Sequence, residues 1–168
     1  MAYASLERFR DITGRNVLAL QQAKEAGKKV VGQYCIYSPL EIALAAGAIP
    51  VSLCGTKNDS IPVAETMLPR SLCPLIKSSF GFALQDSCPY LAASDIVVAD
   101  TTCDGKKKMY ELMKEFKNVY IMELPNSQRE DSLELWTKEI IRFKEYLEKT
   151  FNVEITEEKV RHAVHVSN

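Results

Sequence analysis

Histidine is nearly absent from this chain: His162 and His165, close to the end, are all that 168 residues contain. They stand three apart in a helical stretch rather than at the i, i+4 spacing of a helical zinc pair, and they read as exposed surface. No Cys-x2-Cys pair occurs either, so the zinc patterns are missing. Excess charge of one sign is also lacking. Twenty-one basic against 22 acidic residues leave a net charge of −1, which gives no electrostatic reason to expect nucleic acid or an anionic membrane as partner. The longest apolar run, "IALAAGAIPVSL", contains Pro50 and is too short to cross a bilayer. The opening "MAYASLERFRDITGRN" carries charges throughout and no apolar core, so it does not read as a secretion signal. These absences together lead to the expectation of a soluble, cytoplasmic protein with no membrane and no nucleic acid among its partners. No G-x-G-x-x-G is present, and Gly105-Lys106 lacks the upstream glycine and the following Ser/Thr of a nucleotide-binding P-loop.

What is present is an alternation of helix and strand. Residues 3–26 have Leu6, Phe9, Val17 and Leu20 near helical spacing, with Gly27 as a stop. "KKVVGQYC" (28–35) reads as a buried strand, and 38–48 as a helix with Ser38 as N-cap and Pro39 at its first position. A second strand follows at 49–54, then a polar loop with a short helix, then two segments that each open on a Cys-Pro pair. Strands at 95–100 and 118–125 flank a helix at 105–116. A long helix at about 129–150 places Leu133, Trp136, Ile140, Phe143 and Leu147 on one stripe, and another begins at 156. Met109, Met113 and Met122 read as core. Apolar strands separated by helices predict an open, doubly wound, mostly parallel sheet of about four strands, flavodoxin- or Rossmann-like, in a single α/β unit over residues 1–168.

Ligands of such sheets bind beyond the C-terminal ends of the strands, which makes the five cysteines informative. Cys35 and Cys54 end the first two strands, and Cys103 lies just past the third. Cys73 and Cys88 each precede a proline suited to the first position of a helix, where the helix start favours thiolate. An odd number of cysteines without a secretion signal makes disulfides the poorest reading. Packing, metal ligation and nucleophilic chemistry remain open on spacing alone. Thiolates from distant segments can hold an iron–sulfur cluster. Three consecutive lysines, 106–108, at a helix start oppose the helix dipole; Asp104 as N-cap offsets part of that, and an anion close to Lys106 and Lys107 is the functional reading. Glu41, at the start of the second helix, serves the dipole and is also an acid/base candidate for the strand-end crevice.

The stretches "YCIYSPLEIALAAGAIPV", "LPRSLCPLIKSSFGFAL", "DSCPY" and "DIVVADTTCDGKKKMYELM" resemble the 2-hydroxyacyl-CoA dehydratase D-component family, which includes benzoyl-CoA reductase subunits and double-cubane cluster proteins. The resemblance covers about residues 5–165. It implies an iron–sulfur enzyme of anaerobic bacteria, a lyase or reductase, with two flavodoxin-like lobes per subunit and a 4Fe–4S or double-cubane cluster between them. An ATP-dependent activator supplies a low-potential electron for radical dehydration or reduction of an acyl-CoA or a small molecule. Carried onto this chain, the resemblance makes Cys73 and Cys103 the best ligand candidates, joined by Cys35 and Cys88 in the double-cubane pattern, and leaves Cys54 as a packing residue. Family subunits are about twice as long, so the chain is expected to be the N-terminal lobe of a two-lobe subunit within a homo- or heterodimer. Alone it is expected to hold a cluster weakly or not at all and to be inactive. Two other readings stand beside this one: an α/β subunit-interface module with structural thiols, and a cofactor-free thiol enzyme with Cys103 as nucleophile, against which the lack of a well-placed histidine counts.

Overall fold

Four short apolar runs pair as parallel strands because the helices between them return the chain to the same edge each time. The computed structural model describes the backbone of residues 2–168, and the side chains of residues 11, 12 and 14–168. Leu6 and Phe9 therefore lie outside the described side chains. The elements are α1 (Ala2–Glu25), β1 (Val30–Tyr34), α2 (Leu40–Ala45), β2 (Ile49–Leu53), α3 (Ile61–Ala64), α4 (Pro74–Gln85), α5 (Pro89–Ala93), β3 (Ile96–Asp100), α6 (Asp104–Met113), β4 (Val119–Met122), α7 (Ser132–Phe151) and α8 (Glu157–Ser167). The strand order is β2-β1-β3-β4, parallel throughout, with Val31 beside Pro50 on one side and Ile96 on the other. This is the open α/β fold expected from the alternation, with the order reversing between β1 and β3.

Both central strands are buried along their whole length, and their side chains alternate between two cores. Val97 and Ala99 join Tyr34, Leu53, Phe80, Met109, Tyr110 and Met113 under α4, α5 and α6. Ile96 and Val98 join Val31, Ile42, Met122, Phe143, Leu147 and Ala163 under α2, α7 and α8. The three methionines expected in the core are fully buried there.

Several boundaries differ from expectation for local reasons. Pro39, not Ser38, caps α2: its backbone is extended (ψ 104°), so helical geometry starts only at Leu40. Cys103, not Asp104, caps α6, because Cys103 is extended (φ −152°, ψ 141°) and Asp104 opens the helix. Leu133 leaves the expected stripe of α7: it sits in the first turn, 74 % exposed, and the buried face begins with half-buried Trp136. Among the described residues no helix is long and apolar enough to cross a membrane.

Candidate functional site at the strand-end rim

Where the strand order reverses, between β1 and β3, ligands of open α/β sheets bind at the C-terminal edge in a switch-point crevice, and the loops leaving these two strands meet there. Cys35 is the first residue past β1 and is left-handed, with φ 70°. A cysteine takes that conformation only where its surroundings impose it. Across the crevice, Asp100 ends β3 fully buried and accepts the Tyr37 N–H on Oδ2 at 3.1 Å, which ties the β1–α2 loop to the neighbouring strand. Among the described residues its other oxygen, Oδ1, has no hydrogen-bond partner, and neither has the buried hydroxyl of Ser38 in the β1–α2 loop. Buried polar atoms without partners are rare in folded proteins and often coincide with sites that take a ligand, ion or water.

The Cys35 sulfur is surrounded by donors from the β3 side. Lys106 Nζ, in the first turns of α6, donates to it. Thr102 Oγ1 lies at 3.5 Å and the Tyr110 hydroxyl at 4.0 Å. Burial pulls the Lys106 ammonium toward the neutral form, but the bond to Cys35 and the charges of Cys35, Asp100 and Cys103 outweigh it, and the net shift is upward. Burial first, then Cys35, pushes the Tyr110 hydroxyl well above the usual range, so it remains a donor. The Tyr34 hydroxyl, at the end of β1, is raised by burial first and then by the charges of Cys88 and Cys54.

Cys73 and Cys103 cap α4 and α6 with extended backbones, and both are exposed. Close backbone approach brings the two helix starts together. A Cβ on Gly105 would stand 2.8 Å from Ile76 Cδ1 and 3.0 Å from Leu72 Cδ1, on either side of Cys73. A Cβ on Gly55, next to Cys54, would meet the Leu75 carbonyl at 2.7 Å. The segment leading into Cys73 is clamped by buried Lys77, which donates to Glu65 Oε1 and to the Arg70 carbonyl, both at 2.7 Å.

Cys35, Cys54, Cys73 and Cys103 thus belong to one rim, on four separate elements or loops. Cys88 caps α5 and is half-buried against the core under α4 to α6. Cys54, expected to pack, is instead exposed, since it is the first residue past β2; its thiol donates to the Gly55 carbonyl at 3.7 Å. Glu41 does not join the rim cluster: its Oε1 accepts the Ser167 hydroxyl at 3.0 Å, toward α8. Lys107 pairs with Asp104 at 3.3 Å. His162 and His165 are exposed, and His162 lines a cavity of about 820 Å³ between α2 and α8 that includes no cysteine. Beside the rim, Tyr37, Leu124, Pro125, Leu133 and Trp136 line an open apolar groove of about 490 Å³. Asp100, Thr102 and Tyr110 carry no signal of a site in the sequence pattern, beyond Asp100 being a carboxylate that closes the apolar run "DIVVA".

The sequence comparisons address the same segments. The family model described as "2-hydroxyglutaryl-CoA dehydratase, D-component" matches residues 35–168, starting at the rim cysteine of β1. The chain belongs to this D-component family. YjiM of Escherichia coli (strain K12), provisionally named a dehydratase subunit, is 49 % identical over 98 % of the chain and 43 % of its own length. The lactoyl-CoA dehydratase subunit beta of Anaerotignum propionicum is 26 % identical over 98 % of the chain and 44 % of its own length. A benzoyl-CoA reductase subunit of Thauera aromatica is 27 % identical over 89 % of the chain and 40 % of its own length. The D-component chain described here therefore spans less than half the length of these curated relatives.

The rim can be tested for its fit to a thiolate-bound metal group. Soft sulfur donors on separate elements, a lysine and two hydroxyls around one of them, and an orphaned buried carboxylate oxygen fit such a group chemically. Among the described residues no three His, Cys, Asp or Glu side chains converge on one point. The fit is that of a partial donor set.

Proposed function

We propose that this chain is the N-terminal lobe of a two-lobe iron–sulfur subunit of the D-component family, with Cys35, Cys73 and Cys103 as its first ligands and Cys88 as a further one. The observation that carries the reading is the position of Cys35, Cys73 and Cys103 on separate elements along the strand-end edge of a D-component chain, Cys73 and Cys103 exposed and Cys35 half-buried. Structural thiols would be expected inside the cores, whereas Cys73 and Cys103 stand in solvent and Cys35 is half-buried; Cys54, also exposed, is not assigned as a ligand. The cluster, a 4Fe–4S or double-cubane centre, would supply one-electron chemistry at low potential, fed by an ATP-dependent activator in the cytoplasm. The protein's own part is to present the sulfurs, exclude water beneath them with the closed core, and offer an apolar groove to a substrate or partner; an anion would reach Lys106 or Lys107 only in exchange for their contacts with Cys35 and Asp104. The relatives' names support an acyl-CoA as the substrate class and dehydration or reduction by a multi-subunit enzyme as the reaction; a radical course is part of this proposal. Glu41 is assigned an acid/base role only if closure of the second lobe turns it from Ser167 to the crevice.

Anaerobic reconstitution of the full-length protein with iron and sulfide tests this. Brown protein with stoichiometric iron and sulfide is expected, with iron reduced in Cys73→Ala and Cys103→Ala. A folded full-length protein with reduced thiols that binds no iron would contradict the proposal.

A further inference from the structure

The three consecutive lysines of α6 point in different directions. Lys107 turns back to Asp104, and Lys108 Nζ meets Glu111 Oε2 at 2.9 Å on the exposed face of the same helix. Lys106 alone of the three crosses the switch point, from the β3 side to the sulfur at the end of β1. It reaches a cysteine whose backbone is already fixed, left-handed at φ 70° and followed within two residues by the Tyr37–Asp100 tether. Thr102 Oγ1 approaches the same sulfur from the β3–α6 loop. The ammonium–sulfur contact therefore adds to the Tyr37–Asp100 tether in joining the loops after β1 and β3, and the sulfur is held with a donor already in place. Donors and positive charge beside a ligating sulfur stabilise the more electron-rich, reduced state of the metal group it holds, so they raise its reduction potential.

We propose that Lys106 is a positioning residue for Cys35, fixing its sulfur at the mouth of the crevice and, in the loaded protein, donating the N–H···S bond that eases reduction of the metal centre. The proposal rests on the iron–sulfur reading above. Lys106→Met keeps most of the stem and removes both donor and charge; Lys106→Arg restores a cationic donor. Lys108→Met is the control, since Lys108 faces only Glu111.

The experiment is a spectroscopically monitored redox titration of the anaerobically reconstituted full-length protein, with iron quantified in each variant. Lys106→Met should keep iron at the wild-type level and shift the midpoint to lower potential, Lys106→Arg should recover part of the shift, and Lys108→Met should match wild type. An unchanged midpoint in Lys106→Met with full iron would overturn the proposal and leave the iron–sulfur reading standing. Should Lys106→Met lose iron, recovery of iron and potential by Lys106→Arg supports the positioning role. Loss in both variants shows a packing role and overturns it. A wild-type protein that binds no iron would overturn both readings together.

Discussion

Phe143, Leu147 and Met122, on the α2/α7/α8 face of the sheet, are fully buried among apolar neighbours, whereas Cys73 and Cys103, just past the C-terminal edge of the same sheet, stand in solvent. The two regions are built on opposite terms. In the core the strands place apolar side chains at inward positions and helices cover both faces. At the rim, buried Asp100 keeps an oxygen without a partner, Cys35 is left-handed, and Ile36 is 85 % exposed beside it. The core closes on residues of this chain, while the rim presents chemistry that asks for something opposite it.

Mutations should separate the two regions. The largest effect is expected in the core: Phe143→Ala should cost about 3–5 kcal/mol, seen as a lower denaturant midpoint. Asp100→Ala, at the seam between core and rim, should cost about 1–3 kcal/mol by leaving the Tyr37 N–H without its acceptor. It should also speed hydrogen exchange at that amide, whereas Phe143→Ala affects exchange there only through global unfolding.

Alkali should reveal the same boundary through Tyr34 and Tyr110, whose hydroxyls are raised by burial from the ordinary 10.0. Below that value both states keep their protons and stability is unaffected. Above it the unfolded chain releases protons that the native state holds, so stability falls as pH rises. Urea midpoints measured at rising pH should decline from about pH 10 onward, with little change over the pH units below. The smallest effect belongs to the rim: Cys73→Ser and Cys103→Ser should move stability by no more than about 0.5 kcal/mol, since both side chains are exposed.

The same contrast explains what the sequence disclosed. The strands β1 and β3 could be read because burial on both faces leaves an unbroken apolar run, and the helices because their stripes repeat, as with Ile140, Phe143 and Leu147. The strand-end positions of Cys35 and Cys103 followed from that. The left-handed backbone at Cys35, the choice of Lys106 over its two neighbours, and the Tyr37–Asp100 bond depend on how two loops distant in sequence meet, and local pattern carries no record of such meetings. Pro39 as cap, and the exposure of Leu133 and Cys54, belong to the same class: each is decided by where the chain enters or leaves its packed elements.

The central claim is that Cys35, Cys73 and Cys103 act together as ligands, and cysteine footprinting of the full-length protein tests it most directly. Alkylation of each cysteine, read by mass spectrometry before and after anaerobic reconstitution, should show Cys35, Cys73 and Cys103 protected by the cluster, Cys88 slow in both states and slower when loaded, and Cys54 equally reactive in both. Equal labelling of Cys35, Cys73 and Cys103 in the loaded and unloaded protein would contradict the account.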